Sequence, residues 1–392
     1  MLKNIIILGS TGSIGKSTLK VIKKYKKKFN VKLLTTNNNV KKILSQAITF
    51  NTKIVVIKNK EKYLKYKNQF KKKKIKVFFN IDDALSKFKN KVYYTINAIS
   101  GLEGLEPTIS VIRYTNNIAI ANKESIICGW RLIAKELKKN KTNFIPIDSE
   151  HFSIWSLIKN ENKKNINKIY LTASGGPFLN KNIINLKNIR PSTAIKHPNW
   201  KMGKKISIDS ATMMNKVFEV LEANKIFNLN INIFNIVIHP SSYVHAIVNF
   251  KTGLIKVLAH DTSMEIPIAN SLHKDNEDFS YINKNINFVK FNNLKFKKPN
   301  IRKFPLLKTL KLKPKKDSYF ETILVTLNDE LVKKYLNNEI NYFSLQQNVL
   351  KLIKHPYFIK YYSKNPSNIN DIKNMVKKVK TLLRNYLKNY DK

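Results

Sequence analysis

The sequence predicts an α/β protein that begins with a parallel sheet and ends in a small helical region. Three observations lead to this prediction. Strand-like and helix-like segments alternate through the first half, a glycine-rich turn directly follows the first strand, and heptad-like apolar spacing begins at Pro305. Alternating strands and helices form parallel sheets with right-handed crossovers, whereas heptad-like spacing is typical of packed helices.

The first half of the chain contains short apolar runs separated by helical patterns. Helical patterns cover Ser13–Lys24 and Lys41–Phe50. Short apolar runs bounded by turn residues are typical of strands buried in a parallel sheet. The predicted strands are Asn4–Leu8, Val31–Leu34, Ile54–Ile57, Val77–Phe79, Thr95–Ile99 and Asn117–Ala121.

The residue composition of the loops changes after Pro146. Loops rich in Ser, Gly and Pro appear between strand patterns at Ile169–Leu171 and Ile233–Ile238, which predicts a second α/β domain whose loops hold a site. A polar, Asn- and Lys-rich stretch follows and is interpreted as a linker. The predicted organisation is an N-terminal domain at 1–147, a catalytic domain at 148–272, a linker at 273–304 and a C-terminal helical domain at 305–392.

The chain is strongly basic, with 73 Lys and Arg against 25 Asp and Glu and a formal net charge of +48. Such a charge concentrates polyanions at the protein surface, so nucleic acid is one candidate partner. However, the lysines are spread over the whole chain and are accompanied by many Asn, Ile, Phe and Tyr residues, which share AT-rich codons. Compositional drift is therefore favoured over a dedicated polyanion surface, and no specific nucleic-acid partner is predicted.

The sequence contains one cysteine, Cys128, so no intrachain disulfide is possible and a reducing cytoplasm is expected. Cys128 follows Ile126 and Ile127, which favours a small buried residue over a nucleophile. The apolar run at Ile5–Leu8 is too short for a signal peptide. No run approaches about 18 apolar residues, so no membrane partner is expected.

The glycine-rich turn predicts a nucleotide site. Gly9, Gly12 and Gly15 follow an apolar strand and open a helix, which is the context in which a Rossmann-like domain binds the pyrophosphate of a dinucleotide. The alternative is an ordinary glycine-rich turn between a strand and a helix. The second strand is followed by Asn37, Asn38 and Asn39, with no carboxylate to repel a 2′-phosphate. This predicts that NADP is preferred to NAD.

Residues 197–219 combine donors suited to phosphate with a carboxylate. We expect a helix beginning near Ser210 to carry Asn215, Lys216 and Glu219 around one end, because residues three and four apart share a helix face. Phosphate donors beside a metal ligand indicate a small, phosphorylated, metal-chelating substrate. Trp200 lies in the preceding loop, and it either closes over a ligand or anchors the loop.

Two further carboxylates follow an apolar strand pattern at Phe144–Ile147. Asp148 and Glu150 would then lie at the carboxyl end of a sheet, where ligands of α/β proteins bind. Together with Glu219 they form an all-oxygen set suited to Mg²⁺ or Mn²⁺, although alone they could equally cap a helix. The histidines near these positions lack zinc-site spacing, so structural or substrate-contact roles are favoured for His151, His197, His239 and His245.

Five motifs in the same order resemble the 1-deoxy-D-xylulose 5-phosphate reductoisomerase family. They cover roughly residues 1–272 and are found at 9–15, 121–125, 148–151, 173–178 and 197–219. The resemblance implies conversion of 1-deoxy-D-xylulose 5-phosphate to 2-C-methyl-D-erythritol 4-phosphate, with NADPH and Mg²⁺ or Mn²⁺, in non-mevalonate isoprenoid synthesis. It also implies a homodimer of chains with an NADPH domain, a catalytic domain and a C-terminal helical domain.

The resemblance also implies roles for individual residues. Metal ligands fall on Asp148, Glu150 and Glu219, and Lys123 is a catalytic residue beside them. Substrate contacts fall on Lys123, Ser149, Glu150, Ser174, His197, Ser210, Asn215, Lys216 and Glu219. Nucleotide contacts fall on Thr11, Gly12, Ser13, Ile14, Asn122, Glu124 and Gly203, in addition to the asparagines Asn37, Asn38 and Asn39 of the second strand's loop. Trp200 matches the tryptophan of the family's flexible loop.

Three departures from the family pattern stand out. Asn37-Asn38-Asn39 replaces Gly-Lys-Asn, which weakens the expected 2′-phosphate contact. Glu265 replaces an arginine, and Thr326-Leu-Asn-Asp329 replaces Asn-Ala-Ala-Asn-Glu, so helical-domain and dimer contacts are expected to differ.

Two alternatives to a reductoisomerase agree with parts of the sequence. One is an NADP-dependent dehydrogenase of another phosphorylated substrate, and the carboxylate set argues against it because an ordinary dehydrogenase needs no such set. The other is a polyanion-binding protein that has retained the fold. The retention of Lys123, Asp148 and Glu219 argues against that alternative.

Overall fold

A computed structural model describes residues 2–186, 189–200, 202–273, 286 and 288–388. These residues form two compact units. The first contains the described residues within 1–126, 130–152 and 263–285, and the second contains those within 127–129, 153–262 and 286–392. The domain boundaries predicted at residues 147, 272 and 304 stay a prediction, and residues 274–285 and 287 of the predicted linker lie outside the described residues.

The first unit contains a parallel sheet of seven strands in the order β4-β3-β2-β1-β5-β6-β7. All six pairings between neighbouring strands are parallel. The strands are β1 (Lys3–Leu8), β2 (Phe29–Thr36), β3 (Ile54–Ile57), β4 (Lys76–Phe78), β5 (Val92–Asn97), β6 (Thr115–Ile120) and β7 (Asn143–Ile145). The strand order reverses between β1 and β5, and such a reversal marks the ligand-binding edge of an open α/β sheet.

Helices connect these strands, as the alternating pattern predicts. They are α1 (Ser13–Lys24), α2 (Val40–Thr49), α3 (Lys60–Lys72), α4 (Ile81–Leu85), α5 (Leu105–Ile112) and α6 (Lys123–Lys139). A further helix, α7 (Ser149–Ile158), begins in this unit, and α11 (Glu265–Leu272) returns to it late in the chain. Ile268, Ala269 and Leu272 of α11 are buried in the core beside α1 and the sheet.

Strand β1 shows why this sheet forms from this sequence. Ile5, Ile6, Ile7 and Leu8 are all completely buried, so both faces of the strand are covered. A central parallel strand needs such a continuous apolar run because helices pack on both sides of it. The predicted helix at Ser13–Lys24 and the predicted strand at Ile54–Ile57 are confirmed to the residue.

The second unit contains a mixed sheet of four strands in the order β11-β10-β8-β9. Its strands are β8 (Ile166–Ala173), β9 (Phe234–Ile238), β10 (Val244–Phe250) and β11 (Ile255–Ala259). Strand β10 is antiparallel to both β8 and β11, while β8 and β9 are parallel. Among the described residues between β8 and β9 there are three α-helices, namely α8 (Pro191–Ala194), α9 (Lys204–Ala211) and α10 (Met214–Phe227).

Helix α10 is the centre of the second unit. Eleven of its fourteen residues are buried, so its sequence shows little of the polar face that a surface helix needs. Val220, Ala223 and Phe227 pack with the strands of the four-stranded sheet. The buried set also includes four charged side chains, Lys216, Glu219, Glu222 and Lys225.

The C-terminal part of the second unit is helical, as the heptad-like spacing predicts. A 3₁₀ helix at Pro305–Leu312 precedes the longer helices. The α-helices described after α11 are α12 (Phe288–Asn292), α13 (Phe320–Leu336), α14 (Tyr342–Leu352), α15 (Pro356–Ile359) and α16 (Ile369–Lys388). The predicted α/β class with a helical C-terminal part is therefore confirmed. Among the described residues, no helix combines the length and apolar character needed to span a bilayer.

Candidate active site

The glycine turn of the first unit is packed so tightly that side chains are excluded from it. Gly9 has φ of +76°, and a Cβ there would lie 2.7 Å from the carbonyl oxygen of Ala98. A Cβ on Gly15 would lie 2.5 Å from the carbonyl oxygen of Gly9. Both contacts involve backbone atoms that cannot move aside easily. The turn therefore brings its backbone into the close approach that a pyrophosphate-binding turn requires.

Polar contacts from the second strand and helix hold this turn in place. The Gly9 N–H donates to Oγ1 of Thr35 at 2.7 Å, and the hydroxyls of Thr11 and Thr36 lie 2.8 Å apart. Gln46 of α2 accepts from Ser10 Oγ at 2.8 Å and donates to the Ser10 carbonyl at 2.9 Å. Sequence analysis missed Gln46, although a glutamine among the buried positions of an amphipathic helix is a usable signal.

The predicted nucleotide residues of the first unit lie at the carboxyl edge of its sheet. Asn37, Asn38 and Asn39 are exposed and directly follow β2, the neighbour of β1. Asn122 caps α6 by accepting from the Ser125 N–H at 2.8 Å, and its amide nitrogen donates to the Ile99 and Gly101 carbonyls. Thr11, Gly12, Ser13, Ile14 and Glu124 also belong to this unit, whereas Gly203 belongs to the second unit and precedes α9.

The carboxylates that follow β7 form a compact charged group with Lys123. The Lys123 ammonium lies 3.0 Å from Oδ2 of Asp148, and Nδ1 of His151 lies 3.9 Å from the same oxygen. Ser149 donates from its hydroxyl to Oε2 of Glu150 at 2.6 Å. The structure thus brings the predicted residues of this unit together, with Lys123 paired to Asp148. Lys123 and Glu150 are both buried.

In the second unit, Ser174 and His197 are hydrogen-bonded. Ser174 directly follows β8, and its Oγ lies 2.9 Å from Nε2 of His197. The other ring nitrogen, Nδ1, accepts from the backbone N–H groups of Asn199 at 3.1 Å and Trp200 at 3.0 Å. A nitrogen that accepts two N–H groups carries no proton, so the proton of neutral His197 is on Nε2 and is donated to Ser174.

This tautomer gives Ser174 a defined role as a donor. Its oxygen accepts from His197 and from the Gly176 N–H at 3.1 Å, which leaves the hydroxyl proton to point at another acceptor. Burial, together with the positive charge of Lys216, lowers the pKa of His197 to about 4. His197 is therefore neutral near pH 7, as the hydrogen-bond pattern requires.

The prediction that the helix carrying Asn215, Lys216 and Glu219 begins near Ser210 is wrong. Ser210 lies in the last turn of α9, which ends at Ala211, and a second helix begins at Met214. Thr212 bonds back to the Ile208 carbonyl at 3.1 Å, and Met213 has the left-handed φ of 64°. A left-handed residue cannot continue an α-helix, so the chain changes direction between Ser210 and the residues after Met213.

The first turn of α10 nevertheless carries the predicted group. The Asn215 amide donates to Oε1 of Glu219, and the Lys216 ammonium pairs with Oε2 of the same carboxylate. These contacts have the i,i+4 and i,i+3 spacing that the sequence predicts. Glu219 is 1% exposed, so its charge is buried and balanced by Lys216.

Aromatic rings lie beside the loop that carries Trp200. The Trp200 indole makes an edge-to-face contact with His245 at 6.2 Å between ring centres, and His245 stacks on His260 at 3.8 Å. His245 Nε2 lies 3.1 Å from the His260 carbonyl oxygen. In the described structure Trp200 is thus in contact with one ring of a stacked histidine pair.

Sequence analysis also passed over buried polar groups around α9 and α10. Glu222 is buried one helical turn after Glu219. Asp209, next to Ser210, accepts from the Asn328 amide at 2.7 Å and lies 3.1 Å from the Lys205 ammonium. Glu222 could have been found from its spacing of three residues from Glu219. Asn328 could not be found from local spacing, because it is 119 residues away from its partner Asp209.

The donor types of the predicted carboxylates suit a hard divalent ion. Asp148, Glu150 and Glu219 offer oxygen only, and Mg²⁺ and Mn²⁺ prefer oxygen ligands. Asp148 lies beside the Lys123 ammonium and Glu219 lies beside the Lys216 ammonium, so each of these carboxylates contacts a positive charge.

Comparisons of sequence identify related proteins. The profile of the 1-deoxy-D-xylulose 5-phosphate reductoisomerase family matches residues 5–129, and profiles of that family's C-terminal domains match residues 144–227 and 260–382. The 1-deoxy-D-xylulose 5-phosphate reductoisomerase of Pelagibacter ubique (strain HTCC1062) is 52% identical over 376 residues, covering 95% of this chain and 97% of the relative. That of Clostridium tetani is 36% identical over 387 residues, covering 98% and 99%.

Solved structures agree with the sequence matches. A crystal structure of DOX-P reductoisomerase in complex with NADPH, fosmidomycin and magnesium has a TM-score of 0.92 and 30% identity, and the match covers 100% of both chains. The 1-deoxy-D-xylulose 5-phosphate reductoisomerase of Zymomonas mobilis in complex with NADPH has a TM-score of 0.87 and 29% identity, and the match covers 97% of both chains. The similarity therefore spans both compact units rather than the nucleotide-type sheet alone.

Proposed function

Because the chain belongs to the 1-deoxy-D-xylulose 5-phosphate reductoisomerase family, we infer that it carries out the reaction of that family. It converts 1-deoxy-D-xylulose 5-phosphate to 2-C-methyl-D-erythritol 4-phosphate with NADPH, by rearrangement of the carbon skeleton followed by reduction, in the non-mevalonate route to isoprenoid precursors. It requires a divalent cation, Mg²⁺ or Mn²⁺. The assignment of individual residues to this reaction is our proposal.

The observation that carries the residue assignment is the first turn of α10. An amide, an ammonium and a buried carboxylate lie side by side there, in Asn215, Lys216 and Glu219. Asn215 and Lys216 suit a phosphate group, whereas Glu219 suits a divalent ion. A substrate that carries a phosphate at one end and metal-chelating oxygens at the other matches both halves of this turn.

We assign the phosphate of the substrate to donors of the second unit. Ser174 offers the hydroxyl proton that its hydrogen bonds from His197 and Gly176 leave available. Lys216 offers charge, and Asn215 and Ser210 offer further polar hydrogens. Neutral His197 acts on the substrate by orienting Ser174. Such contacts to the non-reacting end hold the reacting carbons in position.

We assign the divalent ion to Asp148, Glu150 and Glu219. When bound, the ion polarises the substrate carbonyl and stabilises negative charge on its oxygen. Lys123 places a positive charge beside Asp148 and would favour an oxyanion there. Ser149 orients the Glu150 carboxylate through its hydroxyl. Lys123, Asp148, Glu150 and Glu219 are thus the residues that we propose as catalytic.

We assign NADPH to the glycine turn of the first unit and to the loops at the same edge of its sheet. When bound, NADPH supplies the hydride for the reduction. Ser13 and Ile14 begin α1, whose first N–H groups stabilise an anionic pyrophosphate, and Thr11 and Gly12 are the turn residues directly before it. The remaining proposed contacts are Asn37, Asn38, Asn39, Asn122, Glu124 and Gly203.

The alternative of a dehydrogenase acting on another phosphorylated substrate is not favoured. Simple hydride transfer to a carbonyl does not need an all-oxygen metal set with a buried member such as Glu219. The comparisons with proteins of known structure and name point in the same direction.

We further propose that the chain forms a homodimer, works in the cytoplasm, and has no specific nucleic-acid or membrane partner. Support for the dimer comes from exposed apolar side chains at or next to β11 and in α12 of the second unit, which a partner chain would cover. These side chains are Leu254, Ile255, Val257, Phe288, Val289 and Phe291. Sedimentation at a mass of about twice 45.6 kDa would support the dimer, and sedimentation at the mass of one chain would exclude it. The domain boundaries at 147, 272 and 304 remain part of the same proposal.

The direct test is NADPH oxidation by the purified chain with 1-deoxy-D-xylulose 5-phosphate. Turnover is expected with Mg²⁺ or Mn²⁺ and is expected to stop when the ion is chelated. Glu219→Gln should reduce kcat by at least about 100-fold, because it removes a charged ligand, while circular dichroism stays unchanged. Glu103→Gln makes the same chemical change at an exposed position and should leave kcat unchanged. A folded wild-type chain without turnover would refute the assignment.

A further inference from the structure

The loop after β2 is hydrogen-bonded to the connection between β3 and α3. The Lys58 N–H donates to the Thr36 carbonyl at 3.0 Å, and the Asn59 N–H donates to the Asn37 carbonyl at 3.3 Å. The Asn59 side-chain amide also donates to Oδ1 of Asn38 at 3.0 Å. The start of α3 is therefore fixed beside the three exposed asparagines, at the same edge of the sheet as the glycine turn.

Lys62 brings a positive charge to this loop. Its backbone N–H is capped by Oδ1 of Asn59 at 2.9 Å, and its ammonium donates to the Asn38 carbonyl at 3.0 Å. An ammonium has three hydrogens to donate, so this contact uses one and directs the group at the loop. The side chain is partly buried, which restricts the positions that the ammonium can take.

The loop itself carries no charge. Asn37, Asn38 and Asn39 offer neutral amide groups, which bind a phosphate more weakly than a cation does. In a dinucleotide fold, the end of the second strand is where the adenosine ribose and any 2′-phosphate lie. A protein that prefers NADPH over NADH at such a loop needs a cation from a neighbouring element.

We propose that Lys62 is that cation: it binds the 2′-phosphate of NADPH and sets the preference for NADPH over NADH. The proposal rests on the proposed function in assuming that NADPH binds at the glycine turn. Lys41 and Lys42 also lie near, on the first turn of α2, and their side chains are exposed. Lys62 differs from them because a hydrogen bond already holds its ammonium on the asparagine loop.

Calorimetry with two nucleotide fragments tests this assignment in the full-length chain. Adenosine 2′,5′-bisphosphate carries the 2′-phosphate and adenosine 5′-monophosphate lacks it. Lys62→Met should weaken binding of the bisphosphate about 10-fold or more and leave binding of the monophosphate within about twofold. Lys62→Arg should retain most of the bisphosphate affinity, because the charge is kept.

Lys67→Met is the matched control. It removes the same charge from an exposed position on the same helix, so it tests whether the general positive field explains the result. Both fragments should bind this variant within about twofold of wild type. The readout is fragment binding, so the result stands whether or not the chain turns over the sugar phosphate.

Three outcomes would overturn the proposal. Equal weakening of both fragments by Lys62→Met would show that the lysine only supports the fold of the loop. Unchanged discrimination in Lys62→Met would mean that Lys62 does not contact the 2′-phosphate. Loss of discrimination in Lys42→Met, with Lys62→Met unaffected, would assign the contact to α2 instead.

Discussion

The Nε2 atom of His197 lies 2.9 Å from the hydroxyl oxygen of Ser174, and its Nδ1 accepts two backbone N–H groups. The arrangement requires a neutral imidazole with its proton on Nε2. A protonated ring would place an N–H against the N–H groups of Asn199 and Trp200 and break both contacts. The proposed phosphate donor Ser174 is therefore organised by a histidine that does not change charge near neutral pH.

We expect the imidazole of His197 to remain neutral from pH 8 down to about pH 5. Burial, reinforced by Lys216, lowers its pKa from 6.5 to about 4. Because the folded pKa lies below the unfolded value, this histidine stabilises the fold above about pH 6.5. That contribution is lost as the pH falls through about 4. Histidine resonances of ¹³C-labelled protein, assigned with His197→Gln, would measure the pKa.

A resonance of His197 that titrates near pH 6.5 would contradict this expectation. Burial also lowers the pKa of His239. The variant His239→Gln is therefore needed to distinguish the resonance of His239 from that of His197.

We expect Gly15→Ala to impair both nucleotide binding and folding of the first unit. The added Cβ would lie 2.5 Å from the Gly9 oxygen and from the Ser10 Cα, and both are backbone atoms. The turn must shift to accommodate it, so the N–H groups at the start of α1 leave their positions. Overpacking of this kind costs about 1–3 kcal/mol, and the dissociation constant for NADPH should rise at least about 10-fold.

Thermal melting and NADPH titration would test the Gly15→Ala prediction. Ser17→Ala, two residues further along α1, also creates an alanine but adds no new Cβ, and it should change neither quantity appreciably. A Gly15→Ala protein that binds NADPH like wild type would show that the turn can relax without cost.

The ion pairs of Lys225 are expected to stabilise the second unit. Its ammonium lies 2.8 Å from Asp317 and 3.1 Å from Glu321, and Glu321 is 1% exposed. Desolvation opposes the charged lysine, yet the two carboxylates outweigh it and raise the pKa of Lys225. Its stabilising contribution is therefore fully present below the unfolded pKa of about 10.4 and is lost as the pH rises through the folded value.

Lys225→Met should lower the free energy of unfolding by about 3 kcal/mol, because Glu321 is left buried beside the more distant Lys313 alone. Lys225→Met combined with Glu321→Gln should recover part of that loss, since the buried carboxylate that Lys225 neutralised is no longer present. Urea denaturation of the two single variants and of the double variant measures the effect. If the double variant were less stable than the sum of the single changes, the ion-pair explanation would fail.

Local sequence patterns predicted most strands of the parallel sheet and the polar side chains that lie within one turn of α10. The apolar run of β1 and the spacing of Asn215, Lys216 and Glu219 depend on short-range periodicity, which a sequence displays directly. The break at Met213 was not predicted because methionine has no preference for the left-handed region. It follows from tertiary packing, which overrides the helical tendency of the flanking residues.

Contacts between distant segments could not be predicted in the same way. Lys20 of α1 pairs with Glu265 at 2.6 Å, so the glutamate that departs from the family pattern has a partner 245 residues away. Likewise Asn328 of α13 reaches Asp209, and Asp329 lies 2.9 Å from Lys205. A single sequence contains no signal that relates such positions, because their proximity depends on how the helices pack.

We expect the hydroxyl of Tyr342 to be needed for the position of Ser210. This hydroxyl donates to the Ala211 carbonyl at 2.6 Å, at the end of α9 and next to Ser210. The tyrosine is fully buried and burial raises its pKa, so it remains a donor at all working pH values. Tyr342→Phe leaves a buried carbonyl without this donor, which costs about 1–3 kcal/mol and allows the end of α9 to move.

Tyr342→Phe should therefore raise KM for the sugar phosphate about threefold to tenfold, while the dissociation constant of NADPH stays within about twofold. Tyr335→Phe is a matched control, because the Tyr335 hydroxyl donates at 2.8 Å to the carbonyl of Ile189, which precedes α8 and is not part of α9. It should lower the melting temperature by a similar amount without raising KM. Equal effects of both variants on KM would mean that Tyr342 only stabilises the helical bundle, since a positioning role predicts a change for Tyr342 alone.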